Sequence, residues 1–598
     1  MTDDLTRPIE TPPATEPSVP TEPAVPAEPA STPAGTEPVV TTGGPGPNRV
    51  RWAIGLGVAA LAVAVAIGAI IVLGSRPMPE ALKYIPADAA AVVEVRMDLP
   101  GDQMQKLGNL LAHFPGFADQ STLPAKIDES LSKLVQQSGT GEIDYARDIK
   151  PWLSGPAFAA VWAPATGDAT TPSRELLSAT TTGTVSCDTP MRGQTTTHES
   201  YKGLDLVSAA SGASCVIDGR QALIGDAASV KAGIDAHGAG TGMDRDAGYK
   251  SARAALQGDQ LATVYINGKA YGSFVSSAAG AAPSADLSAL LGGVPDWAIT
   301  GVRAEDDALV VDVFAAPAPN PTAGATPGPS LLPLPPTHAS AIAPLAPADT
   351  IVYAEAQGAG VGLQNLITKL GTIPELATSF QMLDGMGGAG QLVGWVDDAG
   401  IIVVKGQATP SGGLALVTAD DATAADRVKT LTGLVAFAGL GNNSVQTRES
   451  TIAGVTVTTI TVSNLAALIP PGQLPQGLDV PADAKVEFSI AAKGKVILLG
   501  TGEDFMTAVL GTQPGSSLAD QASYKQATAR ALTNSRGTVY VAIRDIVGMA
   551  EAFLPADQKA KWESDVKPYL APFQALSITT TEDASGAHSR LAITVSQP

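Results

Sequence analysis

Two short segments carry a carboxylate where a strand should be apolar. Residues 86–97 read PADAAAVVEVRM and residues 347–356 read PADTIVYAEA; each sets a glutamate, Glu94 or Glu355, six positions after the aspartate of Pro-Ala-Asp. A carboxylate kept at one place twice could be half of an acid/base pair, or the mark of one structural unit present twice. Strand alternation puts Glu94 and Arg96 on one face, opposite Val93, Val95 and Met97. Such a Glu–Arg pair could hold a ligand carboxylate or phosphate. In the second segment Gln357 stands where Arg96 does, so any shared role belongs to Glu94 and Glu355 alone, and these two are the ligand candidates. The competing reading is that they serve the fold, through a cross-strand pair or on a solvated face. Asp88 and Asp349, just after proline at a strand entry, read as turn residues whose carboxylates accept backbone N–H bonds.

Other chemistries lack context. No G-x-S-x-G elbow occurs; Ser130 and Lys133 match Ser-x-x-Lys in SLSK, but in a charged amphipathic helix pattern without the accompanying SDN or KTG. LGNN and GMGGAG (385–390) lack the Lys-Ser/Thr of a phosphate loop and read as turns. The acidic AEDD (304–307) reads as a hairpin turn and DDAT (420–423) as a helix start, neither with the alternating oxygens of a calcium loop. His113, His198, His237, His338 and His588 are scattered without metal-ligand spacing. These patterns leave any catalytic residue unknown, and no cofactor or metal site is expected from them.

Bulk composition narrows the partners. A formal net charge of −21 over 598 residues, with no basic run, argues against a nucleic-acid partner. Two cysteines exclude a disulfide scaffold and any Cys-rich metal module.

Residues 1–48 are rich in Pro, Thr, Glu, Ala and Val, with a six-residue beat in TEPSVP, TEPAVP and AEPAST. So little large apolar surface predicts a disordered tail of polyproline-II character. Its threonines beside Glu and Pro would suit a Ser/Thr kinase. WAIGLGVAALAVAVAIGAIIVLG, residues 52–74, then runs without a charge, and at 1.5 Å per residue reaches roughly 34 Å, enough to cross a bilayer. Its distance from the N-terminus and its length predict an uncleaved anchor. Arg49 and Arg51 before it, against Arg76 and Lys83 after it, tilt the orientation to N-terminus inside. In an oxidising compartment outside, Cys187 and Cys215 would pair and close a loop worth roughly 3–4 kcal/mol; the alternative is two buried free thiols.

A Pro-rich stretch, residues 316–340, reads as a linker between 79–315 and 341–598. The two sides share markers in one order: PAD-x5-E; THES (197–200) and TRES (447–450); GRQALIGD and GKVILLGT. The longest match sets AGYKSARAALQGDQLATVYIN (247–267) against ASYKQATARALTNSRGTVYVA (522–542) without a gap. Each side closes with an alternating strand, ALVVDVF or RLAITVS. Within a unit, short Val/Thr/Ala-rich strands and grouped helices predict an α+β fold. The expectation is two tandem duplicated mixed domains with mainly antiparallel sheets, after one transmembrane helix and a disordered tail. The second unit carries extra helical sequence, DDATAADRVKTLTG, where the first has only CDTPMRGQ.

YIPADAAAVVEVRMDLPGDQMQKLGNLLAHFPGF and the later YKSARAAL resemble a bacterial, mostly actinobacterial, family of single-pass envelope proteins catalogued as a domain of unknown function (family 3352). The resemblance implies a membrane anchor and an extracytoplasmic pair of domains, with no known activity, ligand or catalytic residues to carry over. The expected function is non-catalytic binding or scaffolding in the cell envelope, with a protein, lipid or glycan as ligand. Two other readings stay open: an envelope hydrolase or transferase with a site between the units, and kinase-regulated signalling or anchoring through the tail.

Overall fold

The computed structural model describes residues 78–96, 101–137, 145–151, 153–163, 173–183, 185–188, 190–271, 295–317, 337–370, 393–406, 409–439, 445–463, 485–583 and 586–597. The expected tail and span lie outside these residues, and among the described residues no helix is long and apolar enough to cross a membrane. GMGGAG and LGNN also lie outside them, as does the side chain of Ser130.

The first half contributes strands β1 (Ala91–Arg96), β2 (Leu153–Trp162), β3 (Arg174–Thr181), β4 (Thr196–Tyr201), β5 (Leu204–Ala209), β6 (Ala213–Asp218), β7 (Gln221–Asp226), β8 (Ala262–Asn267), β9 (Trp297–Glu305) and β10 (Ala308–Ala315). The second contributes β11 (Thr350–Ala356), β12 (Ala399–Val404), β13 (Ser411–Val417), β14 (Val445–Ile452), β15 (Val455–Ser463), β16 (Lys485–Lys493), β17 (Val496–Gly500), β18 (Gly537–Val541), β19 (Phe573–Asp583) and β20 (Gly586–Val595). The helices used below are α1 (Gln103–Leu111), α2 (Leu123–Gln137), α3 (Ala227–Ala239), α4 (Ala247–Ala255), α5 (Asp421–Gly439), α6 (Gly502–Leu510) and α7 (Ala522–Thr528).

Among the described residues every strand pairing is antiparallel. The first half runs β4-β5-β6-β7-β3-β2-β1-β8-β9-β10. The second repeats that order as β14-β15-β16-β17-β13-β12-β11-β18-β19-β20. The sequence suggests a sheet for each half; instead β10 pairs with β20, and among the described residues the two fuse into one 20-stranded sheet. The closing strands would each leave an unpaired backbone edge, and they meet with Asp312 opposite Arg590. Turn chemistry repeats with the order. Lys202-Gly203 (φ 50 and 85) joins β4 to β5, and Ala453-Gly454 (φ 50 and 80) joins β14 to β15. Two positive φ values give a primed turn that matches strand twist, with glycine at the second place.

One sheet face carries the larger cores. Val92, Phe158, Val216, Leu223 and Tyr265 pack with α3 and α4 in the first half, and Tyr353, Ala415, Leu498 and Tyr540 pack with α6, through Phe505, and with α7 in the second. Asp226 and Asp246 cap α3 and α4 by accepting backbone N–H bonds from Ala228, Ser229 and Tyr249. On the opposite face α1 covers β9, where Gln103 exchanges hydrogen bonds with both backbone groups of Ala304 (2.8 and 3.2 Å). Phe114, just past α1, meets Phe573 of the second half edge-on, at 5.2 Å between ring centroids.

The fused edge is held by charge as well as by backbone. Asp312 on β10, 2% exposed, faces Arg590 on β20 and lies within ion-pair reach of Arg590, His588 and Arg303. Burial alone would raise the Asp312 carboxyl, but His588, Arg590 and Arg303 outweigh it and hold the carboxyl far below the usual range. The Asp306-Asp307 turn is the expected hairpin, and Arg530, just past α7, reaches Glu305 and Asp307 beside it. Replacing Asp312 with Asn takes the shared carboxylate away from Arg590, Arg303 and His588, and should cost about 3 kcal/mol of stability, read as a lower denaturant midpoint. Because the native carboxyl is depressed, wild-type stabilisation is complete above the unfolded value near 3.9 and fades as pH falls below it; the variant should lose that acid dependence.

Candidate functional site

The strand registers place Glu94 and Glu355 on one line across the sheet. Residues directly opposite run Phe158–Glu94–Thr263–Gly301–Asp312 in the first half, cross to Arg590, and continue Thr579–Thr538–Glu355–Gly400. All therefore point to the same face, the one with the larger cores. The solvated-face reading of the glutamates is thereby corrected: Glu94 is 1% exposed and Glu355 is 9%. They belong to one level of two equivalent half-sheets. Seven inter-strand steps of about 4.8 Å put them roughly 34 Å apart along the sheet, so they do not share a pocket.

Glu94 is paired. Its Oε2 is bound by the Arg253 guanidinium from the end of α4 and accepts from Thr263 Oγ1 at 3.3 Å; its Oε1 lies 3.8 Å from Arg96 Nη1. Burial lowers the pKa of Arg253. These groups line a cavity of about 80 Å³ that Asp259 and Gln260 complete. Gly301 is what makes room there: a Cβ on it would stand 2.6 Å from both Gln260 Oε1 and Leu256 Cδ2.

Among the described residues no arginine pairs with Glu355. It accepts from Tyr353 Oη at 2.5 Å, and Tyr353 Oη lies 3.2 Å from Ser340 Oγ. Burial pushes its carboxyl above the usual range against the hydrogen bonds from Tyr353 and Ser340, and the Asp398 charge pushes the same way. Gln357, at Arg96's place, is buried and spends its amide on the backbone of His338, donating to the carbonyl at 2.7 Å and accepting from the N–H at 3.3 Å. His338 Nε2 sits 3.4 Å from Asp398 Oδ2. The end of the stretch expected as linker is thus strapped onto the second half.

The remaining candidates fall apart spatially. Lys133 pairs with Glu129 on the exposed side of α2. His113 bonds carbonyls at the end of α1, His198 faces Asp205 on β5, and His237 stacks on Tyr84. Asp88 and Asp349 are exposed in turns closed by backbone, Ala89 N–H to the Pro86 carbonyl and Thr350 N–H to the Pro347 carbonyl. DDAT opens α5 as expected, with Asp420 Oδ1 accepting from the Thr423 N–H at 2.7 Å. Among the described residues no cluster of three or more His, Cys, Asp or Glu could hold a metal ion. Cys187 and Cys215 are joined in a disulfide that fastens the loop after β3 to β6.

The family model that matches residues 52–595 is that of a protein of unknown function (DUF3352). This chain belongs to that family. The match takes in both halves of the sheet and the segments that suggested the resemblance. No curated protein matches the DUF3352 chain. Among solved structures it is similar to TP0453: crystal form III at a TM-score of 0.23 and 8% identity over 41% of this chain and 82% of that one. For crystal form I the values are 0.21 and 8%, over 40% and 79%.

Sequence reading missed Asp312, Arg590, Arg253, Gln260 and Asp398. Asp312 had the same signal as Glu94, an acid inside an apolar strand, in ALVVDVF. The equivalent glutamates predict opposite responses to neutralisation. Glu94→Gln strips Arg253 of its counter-charge and should lower the thermal midpoint by an amount equivalent to about 3 kcal/mol. Glu355→Gln should raise it at pH ~8, because a buried unpaired charge is removed. That gain should shrink as pH falls through the raised native pKa and vanish below the unfolded value near 4.3.

Proposed function

We propose that this DUF3352 protein is a membrane-anchored extracytoplasmic binding protein. Residues 52–74 are its single span, residues 1–48 its cytoplasmic tail, and the fused sheet its outer portion. The observation that carries the binding reading is the Glu94 cavity, where ionised and amide side chains are gathered under a helix instead of being spread over the surface. The sidedness is supported by the uncharged run 52–74 and by the Cys187–Cys215 disulfide, a bond that persists in oxidising compartments. Continuity of the sheet supports a scaffolding component: two halves locked edge to edge present one extended surface.

A reporter enzyme active only outside the cytoplasm, fused after the C-terminus, tests the sidedness. Activity of that fusion, with a disulfide-linked Cys187–Cys215 peptide in non-reducing mass mapping, is expected. A silent reporter together with both thiols free would overturn the reading. Cys215→Ala should lower stability by roughly 3–4 kcal/mol through the opened 28-residue loop.

A further inference from the structure

We propose that the Glu94 cavity is a subsite for the hydroxyl-bearing edge of a neutral sugar, a ligand class that rests on the binding reading above and deepens it. Three buried polar atoms there lack hydrogen-bond partners: the acceptors Glu94 Oε1 and Gln260 Oε1 and the donor Arg253 Nη1. Glu94 is 1% exposed and Gln260 8%, and both line the cavity. A buried acceptor left without a donor is costly, so an occupant must bring donors. The donors already present are Arg96 and Arg253, and the second carboxylate is Asp259.

The charge balance selects the occupant. Two carboxylates and two guanidiniums line the cavity, so its described side chains sum to zero. An ammonium would satisfy the acceptors but stand beside two guanidiniums. A carboxylate or phosphate, the ligand that the Glu94–Arg96 spacing first suggested, would meet the arginines but leave both orphan acceptors unpaired and face two carboxylates. A hydroxyl donates and accepts, so adjacent hydroxyls can serve Glu94 Oε1 and Gln260 Oε1 while accepting from an arginine, with no charge to desolvate. A volume of about 80 Å³ admits one edge of a pyranose and leaves the rest of the sugar outside. The second half has no counterpart, since Gln357 replaces Arg96 and Thr528 stands where the aligned helix of the first half has Arg253. One subsite per chain is therefore assigned.

The test uses the full chain in nanodiscs, titrated with glucose, glucosamine and glucuronate and read by saturation-transfer NMR and thermal shift. Glucose should bind, and each charged counterpart should bind about tenfold more weakly or worse, the factor that 1.4 kcal/mol of mismatch gives. Gln260→Leu, which leaves the Glu94–Arg253 pair intact, should weaken glucose about tenfold. Gly301→Ala, whose methyl group displaces Gln260, should do the same. Tighter binding of glucosamine or glucuronate than of glucose would overturn the ligand class while leaving a binding site at Glu94. Equal glucose affinity in both variants, or no transfer to any of the three, would overturn the subsite itself. The reporter fusion is indifferent to these outcomes, so sidedness and ligand class fail separately.

Discussion

The antiparallel pairing of β10 with β20 is the constraint on which the rest of the molecule depends. Without it, each half ends on an alternating strand whose outer edge presents unpaired N–H and C=O groups along an apolar surface. With it, the two closing strands satisfy each other and Asp312 comes to face Arg590. The hairpin registers make these two residues equivalent: Asp312 stands opposite Gly301 in β9, and Arg590 stands opposite Thr579 in β19, at the same level. They sit where the two half-sheets exchange, and they carry opposite charges. A symmetric pair of aspartates or arginines would repel at that point; divergence to one of each turns the weakest place of a duplicated sheet into an attraction. His588 and Arg303 complete the cage, with His588 stacked on Phe314 at 3.8 Å.

The same divergence decides how each half covers its outer sheet face. In the second half, Ile490 and Ile497 lie under α5 with Ala424, Val428 and Leu431. In the first half, Cys215 occupies the register position of Ile490, opposite Ile224 as Ile490 is opposite Leu499. There the cover is a short loop with Cys187 and Met191 instead of a long helix. A loop of that size buries too little apolar surface to hold itself down, and a covalent link to β6 supplies what packing does not. The disulfide and the inserted helix are two solutions to one exposed patch of sheet.

This explains what was legible in the chain and what was not. The α+β class, the mainly antiparallel sheets and the second half's extra helix could be read because they depend on local alternation, turn residues and helix periodicity; the order of the strands across the sheet could not. The fusion at β10–β20 could not, since ALVVDVF and RLAITVS look like ordinary closing strands whichever edge they meet. Burial of Glu94 was likewise hidden: its partner Arg253 lies far along the chain on α4, and only the β1–β8 register brings them together. A glutamate in an apolar strand signals that something must neutralise or protonate it, but not from where.

Glu94 and Glu355 show both answers. The first is paired with a guanidinium and borders a cavity. The second meets a phenol and a serine, with Asp398 nearby, and burial favours its proton. The backbone row is the same, so the difference was made by side chains alone: Arg253 where the other half has Thr528, and Val92 where it has Tyr353. Tyr353 in turn packs edge-on against Tyr524, which meets Tyr540 in the same way. Aromatic rings thus stand around Glu355, whereas around Glu94 polar groups line an opening. A duplicated sheet can specialise in this way because the row across it fixes where the two carboxylates point, and the helices laid over each half decide what they meet.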